Sequence, residues 1–408
     1  MCTRVIAHHG YLWPPTASEG GKVRLRGERS SSGRTDSLAG MDIQAAVTES
    51  KGAPFEIRRV SLDDPRADEI LVRVAACGIC HTDLIIRDQW YPVPLPAVLG
   101  HEGAGVVEAV GSAVSKVAVG DHVAMSYGSC GRCVNCQAGE PWVCHDFFAR
   151  NFGATRPDGS TALRAGEQAI HSHFFAQSSF AGHAIATERN VVKLDPDVPL
   201  EVVAPFGCGI QTGAGAVLRV FRPEAGASIA VFGVGTVGLA AVMAARVAGC
   251  TTIIGVDVRG SRLDLASDLG ATHVVDAGST DAVEAVMQAI GGVGADFSID
   301  ATGSPEVLRQ AVYCTGPGGV CGLIGAPPFG TEVSLDMNMI LAMGRTVRGI
   351  VEGQSVPDVF LPRLIELWRQ GRFPVERIMT PYAFSEIEQA ARDAEEGKVV
   401  KPVLRMDS

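Results

Sequence analysis

The sequence predicts an α/β fold in which a doubly wound parallel sheet is combined with a β-rich domain. From about residue 228 the 408-residue chain alternates short apolar runs with helical patterns, which is typical of a parallel sheet covered by helices. Between Met41 and about residue 200, short β-like runs are instead separated by Gly and Pro signals, which favours a β-rich region with long loops.

The composition excludes some classes of partner. The chain is 46% hydrophobic and 20% charged, so it can bury large cores, and its length suggests two or three domains. Its formal net charge of −10 argues against nucleic acid or an anionic membrane surface, because both require a basic face. No apolar run reaches the roughly 18 residues of a membrane span. We therefore expect neither nucleic acid nor a membrane as partner.

The first 40 residues predict a disordered extension, with the folded protein beginning at Met41. They lack a continuous apolar segment of the signal-peptide kind and are rich in Ser, Gly, Lys and Arg. A transit peptide is the alternative interpretation. Without a secretion signal we expect a cytoplasmic protein. In that compartment the eleven cysteines, an odd number, indicate metal binding or catalysis rather than disulfides.

The β-rich region is expected to span residues 41–210 and to be completed by residues 353–408. Its strand-like runs include "EILVRVAACGIC", "GAGVVEAVG", "GDHVAMS" and "NVVKL". The chain between Cys130 and about Phe180 has few apolar runs, so we expect something other than core burial to hold it. Two helical patterns and the run "KPVLRM" follow residue 354 and are expected to return to this region.

Residues 211–352 are expected to form the parallel-sheet domain and to bind a dinucleotide. "VFGVGTVG" places Gly233, Gly235 and Gly238 in G-x-G-x-x-G register between a strand and a helix. Nineteen residues after the last glycine, Asp257 ends the next predicted strand. Its carboxylate would accept hydrogen bonds from ribose hydroxyls and repel a 2′-phosphate. We therefore predict NAD rather than NADP, although Arg262 lies nearby in sequence.

Four cysteines in "GSCGRCVNCQAGEPWVCH" have the spacing C-x2-C-x2-C-x7-C. A disulfide knot is disfavoured by the expected compartment. A ferredoxin-type iron–sulfur site stays an alternative, although the spacing and the lack of a following Pro differ from its usual pattern. Four thiolates at short spacing are typical of closed structural zinc. The residues are Cys130, Cys133, Cys136 and Cys144.

A second set of metal-ligating residue types is dispersed along the chain. "CGICHTD" supplies Cys77, Cys80 and His81, "GHEGAG" supplies His101 and Glu102, and "GCGIQTG" supplies Cys208. A catalytic zinc needs three protein ligands and an open position. Spacing alone does not choose among these candidates.

Taken together and in chain order, these motifs resemble the zinc-dependent, medium-chain alcohol dehydrogenase family. The resemblance runs from about Met41 to the C-terminus. The stretches "CHTDLIIRDQWYPVPLPAVLGHEGAG" and "GIVEGQSVPDVFLPRLIELWRQGRFP" look most like aryl (benzyl) alcohol dehydrogenases. The resemblance implies a Rossmann domain, a GroES-like catalytic domain and a homodimer or homotetramer.

The resemblance also implies roles for individual residues. It implies a catalytic zinc held by Cys80, His101 and Cys208, and a structural zinc held by Cys130, Cys133, Cys136 and Cys144. It further implies that Thr82 takes the substrate proton, that Asp83 supports the zinc-binding His and that Glu102 lies near the metal. The implied cofactor-binding residues are His81, Thr212, Gly233, Gly235, Val237, Gly238, Asp257 and Arg262.

Two departures bear on the activity. Many members have a His at the position of Ile85, and this His ends the proton relay. Aryl-alcohol members have an apolar residue there, as this chain does. Phe148 stands where glutathione-dependent formaldehyde dehydrogenases have an Arg, although Arg150 is close. We therefore predict reversible, NAD-dependent oxidation of aryl or other bulky apolar primary alcohols to aldehydes. The alternatives are S-(hydroxymethyl)glutathione or polyol oxidation, or a binding protein that kept the fold.

Overall fold

The computed structural model describes residues 40–406, so the predicted disordered extension lies, apart from Gly40, outside the described residues. The strands, in chain order, are β1 Met41–Thr48, β2 Glu56–Leu62, β3 Glu69–Gly78, β4 Ala97–Val98, β5 Gly103–Val110, β6 His122–Met125, β7 Leu163–Ala165, β8 Gln168–Ile170, β9 His183–Thr187, β10 Val191–Leu194, β11 Ser228–Phe232, β12 Thr252–Asp257, β13 His273–Asp276, β14 Ala295–Asp300, β15 Thr315–Leu323, β16 Thr346–Gly349, β17 Met379–Ala383 and β18 Lys401–Arg405. The α-helices are α1 His81–Arg87, α2 Val134–Gln137, α3 Phe147–Phe152, α4 Leu200–Val203, α5 Gly209–Gly215, α6 Thr236–Ala248, α7 Gly260–Leu269, α8 Ala282–Ala289, α9 Pro305–Cys314, α10 Met337–Met343, α11 Pro357–Arg369 and α12 Ile387–Glu395.

The doubly wound sheet is confirmed, and its order is β13-β12-β11-β14-β15-β16 with all pairs parallel. The central strand β11 is buried from Ile229 to Phe232, because helices cover both faces of such a sheet. The strand order reverses between β11 and β14. In open parallel sheets ligands bind at this switch point, beyond the carboxyl ends of the strands.

The β-rich part contains two further sheets. One has the order β4-β1-β2-β7-β8, and the other runs β10-β6-β5-β3-β18-β17 with β9 also paired to β3. The late strand β18 pairs antiparallel with β3 from Val403 to Arg405, so the last described strand belongs to the same sheet as β3 and β5. The predicted division at residues 210 and 211 falls inside α5. It stays a prediction.

The expectation that core burial does not hold the chain between Cys130 and Phe180 is wrong for its second half. Leu163, Ile170, Phe174 and Phe175 are buried in the core that β1 to β5 share. These apolar residues are distributed over short strands and a 3-10 turn, so no continuous apolar run in the sequence indicates that they are buried. Only the cysteine-containing first part lies mostly near the surface. Among the described helices, none has the length and apolar character needed to cross a membrane.

Candidate active site and metal centres

Helix α1 places the first residues of the dispersed set. Cys80 is its N-cap, and the Asp83 carboxylate reaches back so that Oδ2 accepts a hydrogen bond from the Cys80 backbone N at 2.9 Å. Such a reciprocal contact satisfies a helix donor that lacks a backbone partner. Thr82 follows Cys80, with its Oγ1 3.7 Å from the Cys80 sulfur. The helix start therefore fixes a thiol, a hydroxyl and a carboxylate together.

His101 is held by the same carboxylate. Its Nδ1 lies 2.8 Å from Asp83 Oδ1, which also accepts from the Gly100 backbone N at 3.0 Å. The ring is fully buried, and within residues 40–406 its Nε2 has no hydrogen-bond partner. A buried polar atom without a partner is costly. A histidine that binds a metal through Nε2 is typically oriented by a hydrogen bond at Nδ1, as His101 is here by Asp83. The unpartnered Nε2 is therefore a candidate metal ligand.

Cys208 completes the set at the junction between a 3-10 turn, Ala204–Gly207, and helix α5. Ligand atoms of Cys80, His101, Glu102 and Cys208 all lie within 4.8 Å of one another. The two thiols lie close together, and their pKa values move in opposite directions. The contact with Cys208 lowers the pKa of Cys80, while the same contact and burial raise the pKa of Cys208. The donor set of two sulfurs and one imidazole fits zinc.

Cys77, a further candidate in the sequence, does not belong to this group. It is buried, and its sulfur lies 3.2 Å from Ser179 Oγ. Burial raises the pKa of this thiol, which is a property of an inert core cysteine.

Sequence reasoning missed a buried ion pair behind the dispersed set. Lys401, on β18, donates to Glu102 Oε2 at 2.7 Å and to the Ile79 carbonyl at 3.0 Å. Glu102 Oε1 accepts from the Gly209 backbone N at 3.0 Å, directly after Cys208. Both side chains are almost fully buried. Lys401 therefore compensates the carboxylate and joins the last strand to the segments that carry the candidate metal ligands. Nothing in its local sequence signals this.

Glu352 is a second residue that the sequence did not single out. It is buried, its Oε1 lies 3.9 Å from the Cys208 sulfur, and Gln211 Nε2 donates to its Oε2 at 3.3 Å. Burial raises the pKa of Glu352 to about 8.

A chain of aromatic rings leads away from His101. Phe175 stacks on His101 with ring centroids 4.5 Å apart, and Phe152 contacts Phe175 at 5.2 Å. Phe152 also contacts Tyr91 at 5.9 Å and Phe148 at 5.4 Å. Edge-to-face and offset rings of this kind make an apolar wall of defined shape. The pairs "FF" at 147–148 and 174–175 are the local signals that precede this arrangement.

Four aromatic residues, Trp90, Tyr91, Tyr127 and Phe148, differ in how far they are buried. Trp90 and Phe148 are exposed, and Tyr91 is half-buried with its hydroxyl donating to the Pro327 carbonyl at 2.9 Å. Tyr127 is instead fully buried, and its hydroxyl donates to the Ser355 carbonyl at 2.6 Å. Tyr127 therefore packs in the core.

The cysteine loop, defined as Cys130, Cys133, Cys136 and Cys144, forms a separate group whose sulfurs lie within 4.8 Å of one another. The Cys130 and Cys136 sulfurs are 3.9 Å apart, well beyond a disulfide bond. The backbone N–H of Cys133 donates to the Cys130 sulfur at 3.3 Å, and that of Cys130 donates to the Cys144 sulfur at 3.2 Å. Each bond stabilises a thiolate, although burial still raises the pKa of Cys144. Gly131 and Gly139 have φ of +71° and +81°, so glycine permits the tight wrap here.

The glycine turn joins β11 to α6 at the switch point of the parallel sheet. A Cβ on Gly238 would lie 2.0 Å from the Gly233 carbonyl oxygen, so this glycine serves close packing. A Cβ on Gly235 would meet nothing nearer than Arg262 Nη1 at 3.8 Å. The backbone at Gly235 is therefore open to a ligand in front of the α6 N-terminus, where a phosphate is favoured.

Asp257 lies at the end of β12, beside this turn. Its carboxylate accepts from the backbone N of Val234, Val258 and Arg259 at 2.8 to 3.0 Å. Arg262 Nη1 is 3.9 Å away, and its Nε has no partner among the described residues. Burial lowers the pKa of Arg262. The turn thus offers one carboxylate and one incompletely bonded guanidinium.

The remaining predicted cofactor residues lie around α5 and α1. Thr212 is buried on α5, and a Cβ on its neighbour Gly213 would lie 2.0 Å from the Val237 carbonyl, so α5 and α6 pack closely. His81 is exposed at the start of α1, with its ring 6.2 Å from Trp90. Ile85, one turn later, is buried. The roles of all these residues stay predictions.

Comparisons with known proteins identify the family. The zinc-binding dehydrogenase profile matches residues 236–368, and the alcohol dehydrogenase GroES-like domain profile matches residues 66–196. Geraniol dehydrogenase of Castellaniella defragrans is 43% identical over 362 residues, covering 88% of this chain and 97% of that protein. The chain belongs to the zinc-dependent medium-chain alcohol dehydrogenase family.

Two solved members of the family share its whole fold. The alcohol dehydrogenase zinc-binding domain protein of Burkholderia ambifaria is 52% identical with a TM-score of 0.88. Benzyl alcohol dehydrogenase of Acinetobacter calcoaceticus is 48% identical with a TM-score of 0.87. In both comparisons the match covers 90% of this chain and 100% of the other. The predicted fold class and family are therefore confirmed.

Proposed function

We propose that the protein oxidises primary alcohols with an aryl or other bulky apolar substituent to aldehydes, reversibly and with NAD. The observation that carries the substrate class is the row of rings from His101 through Phe175 and Phe152 to Phe148 and Tyr91. An apolar wall beside the reacting centre binds an apolar substrate body and excludes water. The names of the geraniol and benzyl alcohol relatives agree with this class.

We propose that Cys80, His101 and Cys208 hold a catalytic zinc and that the cysteine loop holds a structural one. The orphaned Nε2 of His101 and the two neighbouring thiols fit the first ion, and the four converging sulfurs fit the second. When bound, a catalytic zinc supplies Lewis acidity that polarises the alcohol oxygen.

The chain's own residues perform the remaining tasks. Asp83 orients His101 through Nδ1, and Thr82, next to Cys80, takes the substrate hydroxyl proton. Ile85 is buried and its apolar side chain cannot carry a proton. The proton therefore passes to water or to another base. Lys401 holds Glu102 in place beside the metal ligands. The Gly235 turn and Asp257 would hold NAD at its pyrophosphate and ribose, and the bound cofactor would supply the hydride acceptor.

A substrate and cofactor panel tests this proposal. We expect kcat/KM for benzyl alcohol and geraniol to exceed that for ethanol, and NAD to be preferred over NADP.

Phe152→Ala should reduce kcat/KM for benzyl alcohol more than for ethanol, while Phe221→Ala, away from the site, serves as the control. Preferred turnover of S-(hydroxymethyl)glutathione would contradict the substrate class, and no turnover at all would favour a binding protein. A preference for NADP would contradict the assigned role of Asp257.

We also propose a cytoplasmic homo-oligomer. The edge strand β16 of the parallel sheet is exposed, and Met337 and Leu341 on the nearby α10 are each at least 80% exposed. An unpaired edge beside apolar side chains is suited to association with a second copy. Light scattering should give a dimer or tetramer, and Leu341→Arg should shift it towards the monomer. A monomeric wild type would contradict the proposal.

A further inference from the structure

A cavity lies away from the candidate metal ligands and the glycine turn. Its volume is about 380 Å³, within the range of small-molecule sites. It lies between a π-helix at Ala216–Phe221, the end of α6 and one face of α11. Five apolar side chains and three arginines line it: Leu218, Val247, Phe360, Leu364, Leu367, Arg219, Arg222 and Arg363.

The three arginines converge without a counter-charge. Arg369, also on α11, is paired with Asp195 and Asp197, whereas in the part of the chain that the structure describes no carboxylate lies within ion-pair distance of Arg219, Arg222 or Arg363. Burial, and then repulsion from Arg222 and Arg363, lower the pKa of Arg219. In a chain of net charge −10, this is an uncompensated positive group beside an apolar surface.

Two of the three guanidinium groups are fixed in position. Arg219 Nε donates to the Gln354 carbonyl at 3.0 Å, and its Cζ lies 5.8 Å from the Phe360 ring centroid. Arg222, in the left-handed conformation at φ +49°, donates through Nε to the Arg219 carbonyl at 2.8 Å. These bonds use the Nε atoms and leave terminal N–H groups available. Fixed, planar forks of this kind match carboxylate and phosphate oxygens.

We propose that this cavity binds a small organic anion with an apolar body. The body packs on Leu218, Phe360 and Leu364, and the carboxylate or phosphate head lies between the guanidinium groups. Arginines that serve only solvation would not require apolar side chains beside them. A pocket for a neutral apolar ligand would gain nothing from three cations. The combination selects an amphipathic anion. The inference is independent of the alcohol-oxidising site.

Calorimetric titration of the intact enzyme tests the proposal with benzoate and phenyl phosphate, which share one aryl body. We expect one or both to bind, and the tighter of the two identifies the preferred head group, carboxylate or phosphate. Inorganic phosphate, which lacks the aryl body, should bind more weakly than phenyl phosphate. Arg363→Met should weaken binding about tenfold, as expected when a charged hydrogen-bond partner is removed. Arg363 is exposed and forms no ion pair within the described chain, so this variant should fold.

Controls separate this cavity from other binding modes. Arg164→Met removes another exposed arginine, on β7, and should leave the affinity unchanged. Both variants should keep wild-type kcat/KM for alcohol oxidation. Lack of binding, equal affinity in Arg363→Met, or equal affinity for inorganic and phenyl phosphate would each overturn the proposal. A changed oligomeric mass in Arg363→Met would also overturn it, because the arginines would then belong to a contact between copies.

Discussion

The cysteine loop and the dispersed site formed by Cys80, His101, Glu102 and Cys208 offer similar ligand types in opposite ways. The cysteine loop spans fifteen residues, lies mostly near the surface, and supports its sulfurs through neighbouring backbone N–H groups. The dispersed site spans 129 positions, from 80 to 208, and is mostly buried. It depends on a carboxylate, an ion pair and stacked rings from distant segments. A local site can order a loop, whereas a dispersed one requires the fold to exist first.

The largest expected effect separates the two sites by activity. Cys208→Ser should reduce kcat/KM by at least about 10³-fold, because the proposed catalytic zinc loses a ligand. The melting temperature should change little, and metal analysis should fall from two zincs per chain to one. Cys250→Ser, outside both groups, should keep both zincs. Wild-type activity in Cys208→Ser would remove the ligand role.

The converse variant, Cys136→Ser, should act on stability. Loss of one thiolate from the cysteine loop should lower the free energy of unfolding by roughly 5 kcal/mol with zinc present, since metal binding and folding are coupled there. The surviving folded protein should retain its kcat/KM. Urea denaturation with metal analysis measures the loss of stability, and steady-state kinetics measures kcat/KM. An unchanged midpoint with a single zinc bound would contradict a stabilising zinc site in the cysteine loop.

A third variant tests the support of the dispersed site. Lys401→Met leaves the Glu102 carboxylate buried and unpaired, so we expect a loss of about 3–5 kcal/mol in the free energy of unfolding. The double variant Lys401→Met with Glu102→Gln should recover part of this loss, because the remaining charge is removed as well. A single variant as stable as wild type would show that the pair contributes nothing to the dispersed site.

The smallest expected effect provides a reference away from both metal groups. Burial alone would raise the pKa of Glu69, but the nearby His173 ring and the Arg156 guanidinium lower it from 4.5 to about 2. Since the pKa is lower in the folded state, this stabilisation is full above about pH 4.5 and is lost as pH falls towards 2.

Glu69→Gln should therefore cost roughly 3 kcal/mol at pH 7 and flatten the stability profile between pH 5 and 2. Glu167→Gln, an exposed residue without an ion pair in the described chain, is the matched control. Urea midpoints measured across this pH range check the prediction. Neither variant should change the zinc content, in contrast to Cys136→Ser and Cys208→Ser.

By itself the sequence determined what short-range spacing encodes. The four cysteines, the glycines of the β11–α6 turn and the position of Asp257 could be identified because their geometry is set within one loop or one βα unit. The alternation of apolar runs with helical patterns predicted the parallel sheet for the same reason. The family resemblance, and not the spacing, selected Cys80, His101 and Cys208.

Only the tertiary structure decided which distant groups meet. Lys401 pairs with Glu102 across 299 positions, and Glu352 reaches Cys208 across 144. The ring of Phe175 covers His101, and three arginines from two segments surround one cavity. Such contacts leave no periodic trace in the chain, because burial and charge compensation act between side chains in space. The proposed reacting centre depends on this second kind of information, while the cysteine loop depends on the first.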